Sequence, residues 1–121
     1  MTEAKNYRQH FGRSGEDLAA SFFVDKGFII VDRNWRCRLG EIDLIVRNGD
    51  EWRFVEVKTR SSLVFGFPEE SFTRRKREHL YRAIEVYANK QGIGPAQIHA
   101  DVLAIIINDK AFDVRWYPDA E

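Results

Sequence analysis

Cysteine is nearly absent from this chain. Cys37 stands alone among 121 residues, so no intrachain disulfide can form, and a reducing compartment suits it. Net charge is absent as well, with 19 Lys and Arg against 19 Asp and Glu. Bulk attraction to nucleic acid or to an acidic membrane is therefore not encoded. No apolar run is long enough to span a bilayer, and the N-terminus lacks a signal-peptide pattern. The expectation is a soluble, cytoplasmic protein with no membrane partner. Internal repeats, low-complexity tracts and interdomain linkers are missing. So are a zinc-spaced Cys/His cluster, a P-loop, a dinucleotide fingerprint and a serine-hydrolase elbow. His10, His79 and His99 are scattered, and a lone histidine is more often structural than catalytic.

What is present supports one compact domain. Hydrophobic residues make up 44% of the chain, with nine Phe and three Trp, enough for a core and against disorder. Residues 1–12 are polar and read as a flexible N-terminal segment, with the domain spanning 13–118. A helix begins after Ser14, a good N-cap, and shows the stripe Leu18, Ala19, Phe22, Phe23 before stopping at Gly27. Strands follow from Phe28 toward Trp35 and on both sides of Asn48-Gly49. A second helix runs from about Thr73 to Lys90 with the stripe Leu80, Ala83, Ile84, Tyr87, Ala88. Ile98–Ile107 is nearly continuous in apolar residues and reads as a central strand. Ala111–Tyr117 reads as an edge strand. The order α-β-β-β-α-β-β predicts an α/β domain with a mixed sheet of about five strands flanked by helices.

The stretch Glu41–Arg60 is the most informative. Asn48-Gly49 between two apolar-rich runs is a strong hairpin signal. With those two residues as the turn, Arg47 faces Asp50 and Glu41 faces Glu56. Strand parity then puts Glu41, Asp43, Glu56 and Lys58 on one side, and Ile42, Leu44, Val46, Val55 and Val57 on the other. Three carboxylates gathered on one face need a positive partner, either Lys58 or a divalent cation. Asp43, Glu56 and Lys58 suit metal-assisted phosphodiester hydrolysis, since hard carboxylate oxygens favour Mg²⁺ or Mn²⁺. By itself, however, Glu-x-Lys is a weak motif that also occurs as a plain surface ion pair.

Charge is unevenly spread. Arg74, Arg75, Lys76, Arg77 and Arg82 cluster at the start of the second helix against Glu78 alone. Cations at the positive end of a helix are unfavourable, and a bound phosphate would compensate them. Lys76 extends the inward stripe, so it either snorkels or brings charge to the end of the sheet. Arg33, Arg36 and Arg38 around Trp35 are either nucleic-acid contacts or a solvated edge. Glu16 is either a favourable first-turn acid or an acid aimed at the sheet. Asp101, in the central strand, is either a site acid or a hydrogen-bonded structural residue. Phe65 and Phe67 form either a contact surface or a cover for the sheet edge.

Several stretches together carry a family resemblance. They are Gly40-Glu41-Ile42-Asp43-Leu44-Ile45, Phe54-Val55-Glu56-Val57-Lys58-Thr59-Arg60 and Phe65-Gly66-Phe67-Pro68. Gly15-Glu16 with Ala19, Asn34-Trp35-Arg36 and Lys76 add to them. From about Gly12 to Tyr117 the chain resembles the YraN family, which is similar to the PD-(D/E)xK, restriction-endonuclease-like superfamily and to archaeal Holliday-junction resolvases. The resemblance implies a restriction-endonuclease-like domain. It implies Asp43 and Glu56 as metal ligands, Lys58 as the catalytic lysine and Glu16 as a helix-borne catalytic acid. It also implies a homodimer with one site for each of two strands. The chain departs from the pattern at Ile42, where the superfamily often has proline, and at His99-Ala100, where the family has Arg-Phe before Asp101.

Taken together, a metal-dependent endonuclease acting on DNA, branched substrates included, is expected, with Arg36, Arg38, Arg60, Arg74, Arg75, Lys76 and Arg77 contacting the nucleic acid. The alternatives are a nucleic-acid-binding module that keeps this fold without turnover, and an interaction domain with no nucleic-acid role.

Overall fold

The computed structural model describes residues 3–8, 15–60, 74–107 and 111–120. Six strands form one sheet: β1 (Glu3–Arg8), β2 (Ile29–Cys37), β3 (Gly40–Asn48), β4 (Glu51–Arg60), β5 (Ile98–Ile107) and β6 (Ala111–Tyr117). Two helices complete the fold, α1 (Gly15–Asp25) and α2 (Arg74–Gln91). The strand order is β1-β6-β5-β4-β3-β2. The β4–β5 pair is parallel and joined across α2, and every other neighbouring pair is antiparallel. The mixed sheet with flanking helices is the expected class, and β2–β6 are the five expected strands. The sixth, β1, lies within the segment expected to be flexible. β6, expected at the edge, is therefore interior, paired with β1 on one side and β5 on the other, and β1 covers what would otherwise be an open edge of backbone donors and acceptors,.

Each helix covers one face. Leu18, Phe22 and Phe23 of α1 pack with Leu44, Val46, Val55 and Leu103. Leu80, Ala83, Ile84 and Tyr87 of α2 pack with Ile42, Ile45 and Phe54. The chain leaves α1 in a tight reversal, where the Phe28 N–H bonds the Phe23 carbonyl at 3.0 Å. The two rings then meet edge-on at 5.6 Å, the hydrophobic contact that accompanies such a helix end. Ser14, Thr73, the Phe65–Pro68 stretch and the expected turn at 108–110 lie outside the described residues. No described helix is long and apolar enough to cross a membrane.

The hairpin register differs from the expected one. Asn48 faces Glu51, Arg47 faces Trp52 and Leu44 faces Val55, so Gly49 and Asp50 form the turn. Gly49 takes φ 60°, while Asn48 and Asp50 keep negative values. That is the pattern of a turn needing glycine at its first central position only, whereas an Asn48-Gly49 turn needs two positive φ angles. The slip is two residues, so strand parity survives. The expected charged face is also less polar than predicted, since Ile45 and Phe54 on it are buried under α2.

Asp101 is structural. It is fully buried, and its carboxylate accepts from Arg53 at 3.0 and 3.1 Å, from Trp116 Nε1 at 2.9 Å and from the Asp119 N–H at 2.9 Å. Burial raises its pKa against the pull of these donors. Replacing Asp101 with Ala leaves the Arg53 guanidinium buried without its main counter-charge. The expected loss is about 3–5 kcal/mol of stability, read from urea denaturation, with Arg53→Met in the same background recovering part of it.

Candidate active site

The strand pair β3–β4 comes apart where the acids begin. Its pairing ends at Leu44 and Val55. One step further, the Asp43 Oδ2 takes the Val57 N–H at 2.8 Å, so a side chain occupies the acceptor position of a strand carbonyl. The same level of β2 is irregular. Asn34 has φ 51° and lies between Arg33, which faces Leu44, and Trp35, which faces Ile42. Side-chain alternation breaks here. Leu44 packs toward α1, but Ile42 and Trp35 pack toward α2. Ile42 was expected on the Leu44 side, and the irregularity at Asn34 and Asp43 is the physical reason it is not.

Beyond this point a cavity of about 500 Å³ opens between the sheet and the first turns of α2. Glu56 and Lys58 form its sheet wall, and Lys76, His79 and Leu80 its helix wall. Arg36, Cys37, Gly40 and Glu41, at the end of the β2–β3 hairpin, close the third side. Gly40 lets the helix come this near, because a Cβ there would lie 2.6 Å from the His79 carbonyl oxygen.

Charges in the site are paired. Lys58 Nζ lies 2.9 Å from Glu56 Oε1, with both side chains largely enclosed. Arg36 Nε lies 2.9 Å from Glu41 Oε2 across the hairpin. Asp43 stands behind Glu56 and shares a side-chain hydrogen bond with it. Its pKa is pushed up to about 7, mainly by burial and then by the Glu56 charge, while the Val57 N–H pulls the other way. Lys76 is held below the ordinary lysine range by the close approach of Lys58 and that lysine's like charge, with burial adding to the shift,.

Of the four residues expected to be catalytic, Asp43, Glu56 and Lys58 come together. Glu16 sits at the same end of the sheet on the α1 side. A Cβ on its neighbour Gly15 would lie 2.5 Å from Thr59 Oγ1. The Glu16 carboxylate, though, is held by Asn34 Nδ2 at 3.1 Å. Of the expected nucleic-acid contacts, Arg36 and Lys76 line the cavity. Arg60 is near enough for its charge to act on Lys76. Arg38, Arg74 and Arg75 are exposed outside the described lining, Arg77 is half-buried, and Arg74 pairs with Glu78 at 3.4 Å. Trp35 is tucked inward, edge-on to Tyr87 at 5.3 Å. His79 and Cys37 line the cavity without having been singled out. The spacing of His79, one turn after Lys76, already placed it on the same helix face.

The architecture is thus a single α/β domain with a carboxylate pair and lysines at one end of its sheet. Residues 15–114 match the model of the Uncharacterised protein family UPF0102. The UPF0102 protein of Caldicellulosiruptor saccharolyticus is 41% identical over 103 residues, covering 85% of this chain and 87% of that protein. That of Nocardia farcinica is 45% identical over 100 residues, covering 83% and 79%. That of Clostridium tetani is 35% identical over 117 residues, covering 95% and 96%. The chain belongs to family UPF0102, the YraN family.

The raised Asp43 pKa has a consequence for stability. The folded chain keeps a proton that the unfolded chain releases near 3.8. The stabilising contribution is complete below that pH and is lost as pH rises through about 7,. Asp43→Asn keeps an acceptor for the Val57 N–H and carries no charge. Relative to the parent, it should gain on the order of 1–2 kcal/mol between pH 5 and pH 8, discounted for partial solvent screening. Urea midpoints of both proteins at the two pH values measure this.

Proposed function

We propose that this protein is a divalent-metal-dependent endonuclease that hydrolyses DNA phosphodiester bonds. The observation that carries the reading is the carboxylate pair. Asp43 and Glu56 are in contact, and Asp43 is pushed up to about 7, so their repulsion outlasts the Val57 N–H on Asp43 and the Lys58 charge on Glu56. A small hard cation would relieve it, and a carboxylate on the cavity wall, Glu56, with a second, Asp43, directly behind it suits Mg²⁺ or Mn²⁺,. Among the described residues no set of three His, Cys, Asp or Glu side chains forms a ready-made metal shell, so water and phosphate oxygens would complete the coordination. Bound there, the ion would supply Lewis-acid polarisation of the phosphoryl oxygen and a lowered pKa for a water molecule.

The remaining roles fall to the chain itself. The Val57 N–H fixes the orientation of Asp43. Lys58, on the same strand face as Glu56, is placed to orient the attacking water and to stabilise charge that builds on the phosphate. Lys76 and Arg36 face the same space and hold the phosphodiester backbone, while the arginines of the α2 N-terminus extend the contact along it. The resemblance to restriction-endonuclease-like proteins points the same way.

One observation favours the second reading, a binding module without turnover. Glu16, the fourth acid of the expected set, is engaged by Asn34 rather than turned to Asp43 or Glu56. A cleavage panel separates the two. Junction, flap, single-stranded and duplex DNA are incubated with Mg²⁺ or Mn²⁺. The parent should cleave at least one substrate, and Lys58→Ala should be slower by about 100-fold or more, with EDTA abolishing both activities. Mn²⁺ should also raise the melting temperature of the parent at pH 8 and leave that of Asp43→Asn unmoved. Salt-sensitive DNA binding with equal, null cleavage by parent and Lys58→Ala would establish the module instead.

A further inference from the structure

The end of the β2–β3 hairpin presents an apolar side chain to solvent at the cavity rim. Cys37 faces Gly40, which leaves Arg38 and Leu39 as the turn. Leu39 is 48% exposed. A single exposed leucine is ordinary, but the setting of this one is not. Arg38 precedes it in the turn and Arg36 lies two residues before that, both exposed. The hairpin beneath is braced by the Arg36–Glu41 ion pair at 2.9 Å and by Trp35 and Cys37 packed against the α2 cluster. Gly40 seats it directly on the helix backbone at His79. The residues just below the turn form one wall of the cavity that holds Glu56 and Lys58.

We propose that Leu39 is a wedge that enters an unstacked base step of duplex DNA while Arg38, beside it in the turn, holds an adjoining phosphate. The inference rests on the nucleic-acid reading of the cavity and adds a substrate class to it. An apolar projection on a seated hairpin, with a cation beside it, is the kind of device that pries apart base steps, and it works best where stacking is already weak. The preferred substrate is therefore duplex DNA carrying a step that opens easily, such as a mismatch.

The test uses two 20-base-pair duplexes, one matched and one with a central mismatch beside 2-aminopurine, with Ca²⁺ present to permit binding without turnover. The parent is expected to bind the mismatched duplex about tenfold more tightly and to raise the 2-aminopurine fluorescence on binding. Leu39→Ser should lose both effects while binding the matched duplex within about twofold of the parent, and Leu39→Phe should keep them. A Leu39→Ser protein with the parent's preference and fluorescence change overturns the wedge and leaves the nuclease reading intact. A parent that binds neither duplex at any salt concentration overturns both.

Discussion

The hydrogen bond from the Val57 N–H to the Asp43 carboxylate sets the geometry of the whole site. A side chain substitutes for a ladder partner at the point where β3 and β4 separate. A half-buried strand N–H at the end of the ladder needs an acceptor,, so the carboxylate is held against the strand rather than projecting freely. That position forces it against Glu56 and away from water. The raised pKa of Asp43 is thus a consequence of where the sheet stops pairing,. The break in side-chain alternation at Asn34 and Asp43 belongs to the same event. It turns Ile42 and Trp35 toward α2, which anchors the hairpin end beside the cavity.

The two ends of the sheet solve their charge problems differently. At the β5 start, Asp101 and Arg53 are both enclosed, and the acid accepts from three donor groups. Both Asp101 oxygens have protein donors, and Arg53 is shared between Asp101 and Glu51. At the β4 end, Glu56 and Lys58 share one contact, while two carboxylates repel each other just behind it. Both places hold acids in low-dielectric surroundings. Only the second leaves a mismatch that a further charge can relieve, and perturbed groups of that kind mark functional sites more often than structural ones.

Much of this was legible in the amino-acid order because period and punctuation agree. The α2 stripe, the apolar run of β5 and the arrangement of β2–β6 follow from hydrophobic spacing. The gathering of Asp43, Glu56 and Lys58 survived an error in the turn, because a two-residue slip preserves parity. What escaped depends on tertiary context. Six polar-rich residues near the N-terminus carry no strand period, yet β1 pairs with β6 along its length. The face of Ile42 could not be read from alternation, because alternation fails at that step. The Asn34 partner of Glu16 lies 18 positions away, and no local rule connects them. Lys76 resolved toward the charged alternative, bringing its ammonium to Lys58.

The chain's zero net charge loses its force as an argument against an ionic ligand once the pairs are located. Glu56 neutralises Lys58, and Glu41 neutralises Arg36, on two walls of one cavity. A ligand of a single sign would satisfy one member of each pair and strand the other. A metal cation together with a phosphate anion satisfies both, since the acids turn to the metal and the bases to the phosphate. Self-paired acids and bases around an open cavity therefore favour a ligand that brings both signs, and a metal-bound phosphodiester is such a ligand. On the proposed reading, Lys76, a third base on the same lining beside two acids, leaves the phosphate side of such a ligand the better matched.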